Sequence, residues 1–352
     1  MVARRARENP RAWGVDVGHT RGVRIEARNP RELGAEFSRE LGRLVPHDGY
    51  MLLGLDPLTG IGCLTVTEQC YSRASYRQLE IGEYLGNDLH SMSSLVNGPS
   101  PVGILGTGSP EERHSVRLHE IMAAEGFGSE MRMVFTLAGV TWGGMTLVRE
   151  RGRRAFSTED AGHAERLCGE LAQALRRFHA GRRLRPVRLG LAPGVIVVDA
   201  NDNVSAVTPT GRDWLRMLLP PGAAANDDEL FGGIWNVVVN ARRAEQPALS
   251  RIPTREGWLV LQAQPLDGKE SDEVVVTVQP ASATLLLPAV AAWCGITPRE
   301  RQVLDQALEG MPAKQIARRL DLSQHTVNDH LKAVYRKTGV SGREELIAGL
   351  SS

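Results

Sequence analysis

The residues best suited to chemistry lie close together near the end of the 352-residue chain, between residues 313 and 339. A helix starting at Ser323 would carry Val327, Leu331 and Val334 on one side, at spacings of three and four. The opposite side would then carry Gln324, His325, Asn328, Asp329 and Lys332. Asparagine can pair bidentately with adenine, aspartate can accept from cytosine N4, and lysine can hold guanine or a phosphate. This face therefore offers hydrogen bonds to base edges in the DNA major groove.

A polar corner at residues 321–323 precedes this face and must position it. The Ser323 hydroxyl is a natural acceptor for the first free amides of the helix, and Leu322 can fill the space between two helices. The helix before the corner has a matching apolar stripe formed by Ile316, Ala317 and Leu320. The pattern predicts a helix-turn-helix.

Two further helices are marked by their ends. Residues 297–300, Thr-Pro-Arg-Glu, have the pattern of a capping box with proline at the first helical position. Gly310 supplies a left-handed residue that ends this helix. Residues 341–344 predict another capping box, between Ser341 and Glu344, that opens a fourth helix. We expect a compact unit of four short helices.

The stretch from Ile296 to Ile347 resembles the LuxR-type, or GerE-like, helix-turn-helix domain over its whole length. The matching residues are Thr297 to Glu300, Gly310, Ile316, Ala317, Leu320, Ser323, Thr326, Val327, His330, Leu331, Lys337, Gly339 and Val340. The resemblance implies that Lys314 touches a phosphate and that Thr326 holds the recognition helix. It also implies that Asn328, Asp329 and Lys332 face the major groove. The predicted DNA-binding residues are Lys314, Ser323, Gln324, His325, Thr326, Asn328, Asp329, Lys332 and Arg336.

The charge balance limits how this unit binds. Residues 297–352 hold nine basic and seven acidic residues, a net charge of +2, and the whole chain carries +1. Members of the family often have a basic residue where this chain has Asn328 or Asp329, so the resemblance does not predict the preferred DNA site. One copy is expected to bind weakly, and specific binding to need a homodimer on two half-sites about one helical turn apart. The alternative is a helical bundle used only for protein contacts.

The first part of the chain has an α+β pattern. A helix beginning at Pro30 is followed by a hairpin around the turn at 56–60, by strands at Met131–Leu137 and Thr141–Arg149, and by a long helix capped near Ser157. The first helix has an apolar face of Leu33, Phe37, Leu41 and Leu44, and the last has a stripe of Leu167, Leu171, Leu175 and Phe178 that is a candidate dimer contact. This order resembles a GAF domain, which implies a small-molecule sensor or a dimerisation module.

A second α+β segment begins at about residue 190. It has a strand from Val195 to Asp199, a short second strand, a helix opened near Thr208 and two later strands. The segment resembles a PAS domain, which implies either small-ligand sensing or a cofactor-free dimer module. No histidine lies between residues 190 and 290, which argues against a histidine-ligated haem. We predict no cofactor.

The predicted fold class is therefore α+β multidomain, with an all-α four-helix LuxR-type domain at the end. The predicted boundaries are a flexible basic arm at 1–30, a GAF-like domain at 31–184, a PAS-like domain at 190–285 and the helix-turn-helix domain at 293–352.

Enzyme chemistry is not indicated by the sequence. No credible Ser/His/Asp arrangement, phosphate-binding glycine loop, acidic constellation or metal motif is found. Cys63 and Cys70 flank a predicted strand, which leaves a thiol-redox module as an alternative, with buried core thiols as the simpler interpretation.

The sequence thus predicts a cytoplasmic, one-component bacterial transcriptional regulator that is not an enzyme. Its expected partners are double-stranded promoter DNA, RNA polymerase, a second copy of the chain and an unidentified small molecule. No membrane partner is expected, because no stretch approaches the roughly 20 apolar residues needed to span a bilayer. A sensory half that serves only as a dimer scaffold is the remaining alternative.

Overall fold

The computed structural model describes most of the chain after the first 24 residues. The described residues are 25–86, 89–182, 184, 190–219, 226–243, 247–254, 256–267 and 272–350. Most of the predicted arm at 1–30 lies outside them. None of the helices within these ranges is long and apolar enough to cross a membrane.

The first unit is a five-stranded antiparallel sheet with helices on both faces. Its strands are β1 Gly49–Leu55, β2 Gly62–Glu68, β3 Val102–Leu105, β4 Phe127–Leu137 and β5 Val140–Glu150, in the order β2-β1-β5-β4-β3. Its α-helices are α1 Pro30–Gly42, α2 Arg73–Leu85, α3 Met92–Asn97 and α4 Thr158–Ala180, with a 3-10 turn at Pro110–His114 and a π-helical segment at Arg117–Met122. Met131, Met133 and Phe135 of β4 pack with α1 and α4, whereas Glu130 and Arg132 lie on the other face.

The second unit repeats this sheet order with different strands. Its strands are β6 Gly194–Val198, β7 Val204–Val207, β8 Ala248–Thr254, β9 Gly257–Pro265 and β10 Val274–Pro280, in the order β7-β6-β10-β9-β8. Its helices are α5 Pro209–Leu218, α6 Asp227–Phe231 and α7 Trp235–Arg243. Trp214 and Val237 belong to an apolar core between these helices and the sheet.

The C-terminal part is helical. Its helices are α8 Ala283–Cys294, α9 Pro298–Leu308, α10 Ala313–Arg319, α11 Gln324–Thr338 and α12 Arg343–Leu350. The predicted α+β multidomain class with an all-α end is thus confirmed. The domain boundaries stay predictions, because one hydrophobic core continues from the first unit through α8 into the last helices.

Two details of the first unit differ from the sequence predictions. Leu44 follows the end of α1 and is 45% exposed, so it does not extend the apolar face of that helix. Leu171 and Leu175 of α4 are fully buried and Phe178 is 8% exposed. The predicted dimer stripe was therefore wrong, because these side chains already fill the core of their own unit.

The start of α4 shows how a local signal sets an element. Ser157 accepts from the amide of Asp160 at 3.2 Å, and Asp160 accepts from the amide of Ser157 at 2.9 Å, which forms a capping box.

Replacing Ser157 by alanine is expected to lower the free energy of unfolding by about 1 kcal/mol, because an orphan helix amide loses its acceptor. Chemical denaturation of both proteins measures this difference. Ser282→Ala is the matched control, since Ser282 also precedes a helix but its side chain makes no cap bond. Equal losses in the two variants would contradict a capping role for Ser157.

Candidate nucleic-acid interface

The corner between α10 and α11 is built as a helix-turn-helix requires. Asp321 takes a left-handed φ of 53°, and the Leu322 amide donates to the Ala317 carbonyl at 2.8 Å, so the chain turns sharply. Ser323 then accepts from the amide of Thr326 at 3.0 Å and caps α11. The two helices bury Ile316, Ala317, Val327 and Leu331 together with Val303 and Ala307 of α9. The apolar stripes predicted from the sequence are the ones that pack.

The opposite side of α11 is open to solvent. The exposed side chains there are Ser323, Gln324, His325, Asn328, Asp329, Lys332 and Arg336, and Lys314 is exposed on α10. Thr326 differs from the other predicted site residues because it is half-buried and its hydroxyl lies 2.8 Å from that of Ser323. The structure thus brings the predicted polar residues of α11 onto one exposed face, which we call the α11 face.

One contact on the α11 face was not predicted. His325 Nδ1 lies 2.9 Å from Asp329 Oδ2, and both side chains remain exposed, at 87% and 55%. The i,i+4 spacing of the two residues was the signal available in the sequence.

The C-terminal end of α11 is fixed by an internal ion pair. Lys337 Nζ donates to Glu300 Oε2 at 2.6 Å and to the Gly295 carbonyl at 2.9 Å. Burial raises the pKa of Glu300, but the hydrogen bonds from Lys337 and from the Thr297 amide outweigh it and hold the pKa below its ordinary value. Lys337, a residue of the predicted family pattern, therefore joins α11 to the start of α9.

The cap of α12 is a correction to the sequence prediction. The Ser341 amide and hydroxyl both donate to Glu345 Oε2, each at 2.6 Å. Glu345 thus takes the acceptor role predicted for Glu344, one residue further along the chain, but the Ser341 hydroxyl donates, whereas a capping box needs it to accept from a helix amide.

Helix α8 was missed from the sequence. It contains Pro288 and is apolar on all sides, so neither a clear period nor an uninterrupted helix pattern marks it. Arg176 of α4 donates to the Trp293 carbonyl at 3.0 Å, and Arg251 of β8 donates to the Leu285 carbonyl. Only three residues separate α8 from α9. Both sheet units therefore contact the helix that leads into the helix-turn-helix.

The two sheet units are also joined directly. Asp56, in the turn between β1 and β2, is fully buried, and its Oδ2 accepts from Arg251 Nη1 at 2.7 Å. Ser250 Oγ and Asn236 Nδ2 both donate to the Gly62 carbonyl, at 2.7 and 2.8 Å. Arg251, a residue of the second unit, thus contacts both the first unit and α8.

Cys63 and Cys70 lie too far apart in this fold to pair as a disulfide. Cys63 lies near the start of β2 and Cys70 follows its end, and the extended step from Cys63 to Glu68 alone covers roughly 16 Å at about 3.3 Å per residue. A disulfide needs Cα atoms within about 7 Å. Burial raises the pKa of Cys63 well above its usual value and that of Cys70 to about 12. Both thiols are therefore protonated near neutral pH, and an internal disulfide between them is excluded.

A buried ionic network lies on the α2 side of the first sheet. Glu130 Oε1 is 3.0 Å from the Nε atoms of both Arg117 and Arg132, and Arg132 also pairs with Glu83. Tyr71 donates to Glu130 Oε2 at 2.5 Å, and burial together with the charge of Glu130 raises the pKa of this phenol well above its ordinary value. Buried charged groups of this kind are found at ligand sites as well as in structural networks.

Comparison with known proteins supports the helix-turn-helix. The model of bacterial regulatory proteins of the luxR family matches residues 295–349. The spore germination protein GerE of Bacillus subtilis is 34% identical over 55 residues, which cover 16% of this chain and 74% of GerE. The nitrate/nitrite response regulator NarL of Escherichia coli is 44% identical over 50 residues, 14% of this chain and 23% of NarL.

The remaining matches are partial or distant. An HTH-type transcriptional regulator of Mycobacterium tuberculosis is 38% identical over 77 residues, but the match spans only 9% of its length and 22% of this chain. The solved structure of SdiA from Escherichia coli aligns with 92% of each chain at 15% identity and a TM-score of 0.35. A score at this level does not establish a common fold, so the description of the two sheets rests on their own strands.

Proposed function

Because this chain belongs to the LuxR family of bacterial regulatory proteins, we propose that it is a one-component transcriptional regulator that binds promoter DNA through the α11 face. The observation that carries the proposal is the exposure of the polar side of α11 while its apolar side is buried. Asn328, Asp329 and Lys332 are then exposed toward base edges, and Lys314 and Arg336 toward phosphates. We further propose that the protein acts in the cytoplasm and that RNA polymerase is a second partner.

Binding is proposed to require two copies. The net charge of +2 on residues 297–352 gives one unit little non-specific attraction for phosphates. A dimer doubles the number of base contacts and fits two half-sites about one helical turn apart.

The sheet units are proposed to modulate DNA binding through α8. The support is contact: Arg176 and Arg251 donate to backbone carbonyls of α8, and Lys337 of α11 donates to Gly295 at its end. A change of packing in either unit would therefore shift the position of α8, the helix that leads into the DNA-binding unit.

A small molecule is the proposed signal, and the buried network around Glu130 and Arg132 is the candidate site. The competing proposal is that the sheet units serve only to pair two copies. The melting temperature of the full chain, measured against a panel of metabolites, separates the two, because a ligand that binds the folded state raises it. A saturable rise argues against a pure scaffold.

Substituting both Asn328 and Lys332 by alanine is expected to weaken binding to the native sites by at least about tenfold, since one good base contact contributes about 1–3 kcal/mol. Sequencing of genomic fragments bound by the wild type identifies the sites, and gel shifts with both proteins measure the difference.

The matched control removes one side-chain amide and one positive charge at positions outside the α11 face. Asn97→Ala with Arg43→Ala also deletes one amide and one positive charge, at exposed positions of the first unit. The control should bind as the wild type does. Equal binding by the Asn328/Lys332 variant would show that the α11 face does not read DNA.

A further inference from the structure

Asp329 is the only acidic residue of α11, and it lies on the exposed face between Asn328 and Lys332. A carboxylate brought close to DNA phosphates opposes binding, unless it makes a contact that only an acceptor can make. Its contact with His325 gives little reason for its presence, since exposed pairs of this kind contribute only about 0–1 kcal/mol to stability. The position of Asp329 therefore points to recognition.

The geometry leaves one carboxylate oxygen available. Asp329 Oδ2 lies 2.9 Å from His325 Nδ1, within the distance of an ion pair. Among the described residues, the contact of Asp329 with His325 is made by Oδ2, and Oδ1 makes no hydrogen bond. A carboxylate held at one oxygen has fewer rotamers open to it, so its second oxygen is presented in a restricted direction.

The donor pattern of the major groove selects the base. Guanine presents only acceptors there, and thymine presents an acceptor and a methyl group, so neither can donate to a carboxylate. Adenine has a donor at N6, but the acceptor N7 lies beside it and would face the carboxylate. Cytosine presents the N4 amine without a neighbouring acceptor on the same base.

We propose that Asp329 reads a cytosine through its N4 amine and that His325 is a positioning residue that holds the Asp329 carboxylate for this contact. The inference rests on the proposed function and goes beyond it, because it names one base and the pair of residues that selects it. A single cytosine per half-site is read in this way.

The test measures base preference with the full chain. Selection from a random DNA library, followed by binding to single base-pair variants of the selected site, is carried out for the wild type, Asp329→Asn, His325→Ala and His325→Gln. In Asp329→Asn, the preference for cytosine over the other bases is expected to fall about tenfold at one position per half-site, while the preferences at the other positions stay the same. His325→Ala should lose part of the discrimination at the same position.

His325→Gln provides the rescue, because glutamine can also hydrogen-bond an aspartate four residues away on a helix. Recovery of the cytosine preference in this variant supports positioning, since a purely structural loss would weaken all sequences alike. Unchanged preferences in Asp329→Asn, or a uniform loss at every position, would overturn the inference.

The outcome also separates this inference from the proposed function. If the wild type selects a site that the Asn328/Lys332 variant cannot bind, while Asp329→Asn keeps every preference, only the cytosine contact is wrong. If the wild type selects no DNA at all, the proposed function fails and the cytosine contact fails with it.

Discussion

Asp56→Asn is expected to lower the free energy of unfolding by about 3–5 kcal/mol, the range for breaking one partner of a buried ion pair. Asp56 is fully buried and Arg251 is 7% exposed at its side chain, so water cannot replace the lost partner. Asparagine keeps the shape and the oxygen that accepts from the Leu58 amide at 3.0 Å. The loss therefore reports the uncompensated charge of Arg251. Urea denaturation followed by circular dichroism measures it.

An exposed pair offers the control for this prediction. Asp213 pairs with Arg216 at 2.7 Å, with side chains 47% and 55% exposed, and Asp213→Asn should change stability by no more than about 1 kcal/mol. The double variant Asp56→Asn with Arg251→Met should lose less unfolding free energy than the two single variants lose together, because no charge is left buried without a partner. Similar small losses of unfolding free energy in Asp56→Asn and Asp213→Asn would show that the buried pair contributes no more to stability than an exposed pair.

The C-terminal helices could be predicted because their signals are local. Thr297, Ser323 and Gly339 each act within a few residues of their own position, and the stripe that includes Val327 and Leu331 has a helical period. The same holds for the cap at Ser157 and for the β4–β5 hairpin, whose turn at Ala138 and Gly139 takes positive φ angles. Even the error at Glu344 is a displacement of one residue, since glutamates lie both three and four residues after Ser341.

The contacts between the units could not be predicted, because nothing local specifies them. Asp56 and Arg251 are 195 residues apart in sequence, and a turn aspartate and a strand arginine have no pattern that pairs them. Helix α8 was hidden by Pro288 and by its lack of a polar side. The pair of His325 and Asp329 has the i,i+4 spacing of a helical side-chain contact, but exposed residues at that spacing can equally face outward alone, so the spacing does not by itself specify the pair.

These non-local contacts share one location. Trp293 of α8 stacks on Trp258 of β9 at 4.8 Å between ring centroids and on His179 of α4 at 5.4 Å. The aromatic groups of both sheet units thus meet on the helix that precedes α9. A change in the packing of either unit would therefore act first on this junction, which lies between both sheet units and α9.

His179 makes this junction sensitive to acid. Its side chain is 1% exposed, and among the described residues neither ring nitrogen has a hydrogen-bond partner. Burial, and then the nearby charge of Arg182, lower the pKa of His179 to about 3. An unfolded histidine has a pKa of about 6.5, so between these values the unfolded chain binds one more proton than the folded chain. The stability contributed by the neutral ring is fully present above pH 6.5 and is lost as the pH falls.

We expect this histidine to remove about 2 kcal/mol of unfolding free energy between pH 7 and pH 5, since each unit of pKa difference corresponds to about 1.4 kcal/mol. His179→Leu should flatten the pH dependence by that amount, whatever its stability at pH 7, because the titrating group is gone. His114→Leu, at an exposed position, should keep the wild-type slope. Denaturation curves at both pH values give the three slopes. A wild-type slope in His179→Leu would mean that other groups, and not this buried ring, make the fold acid-sensitive.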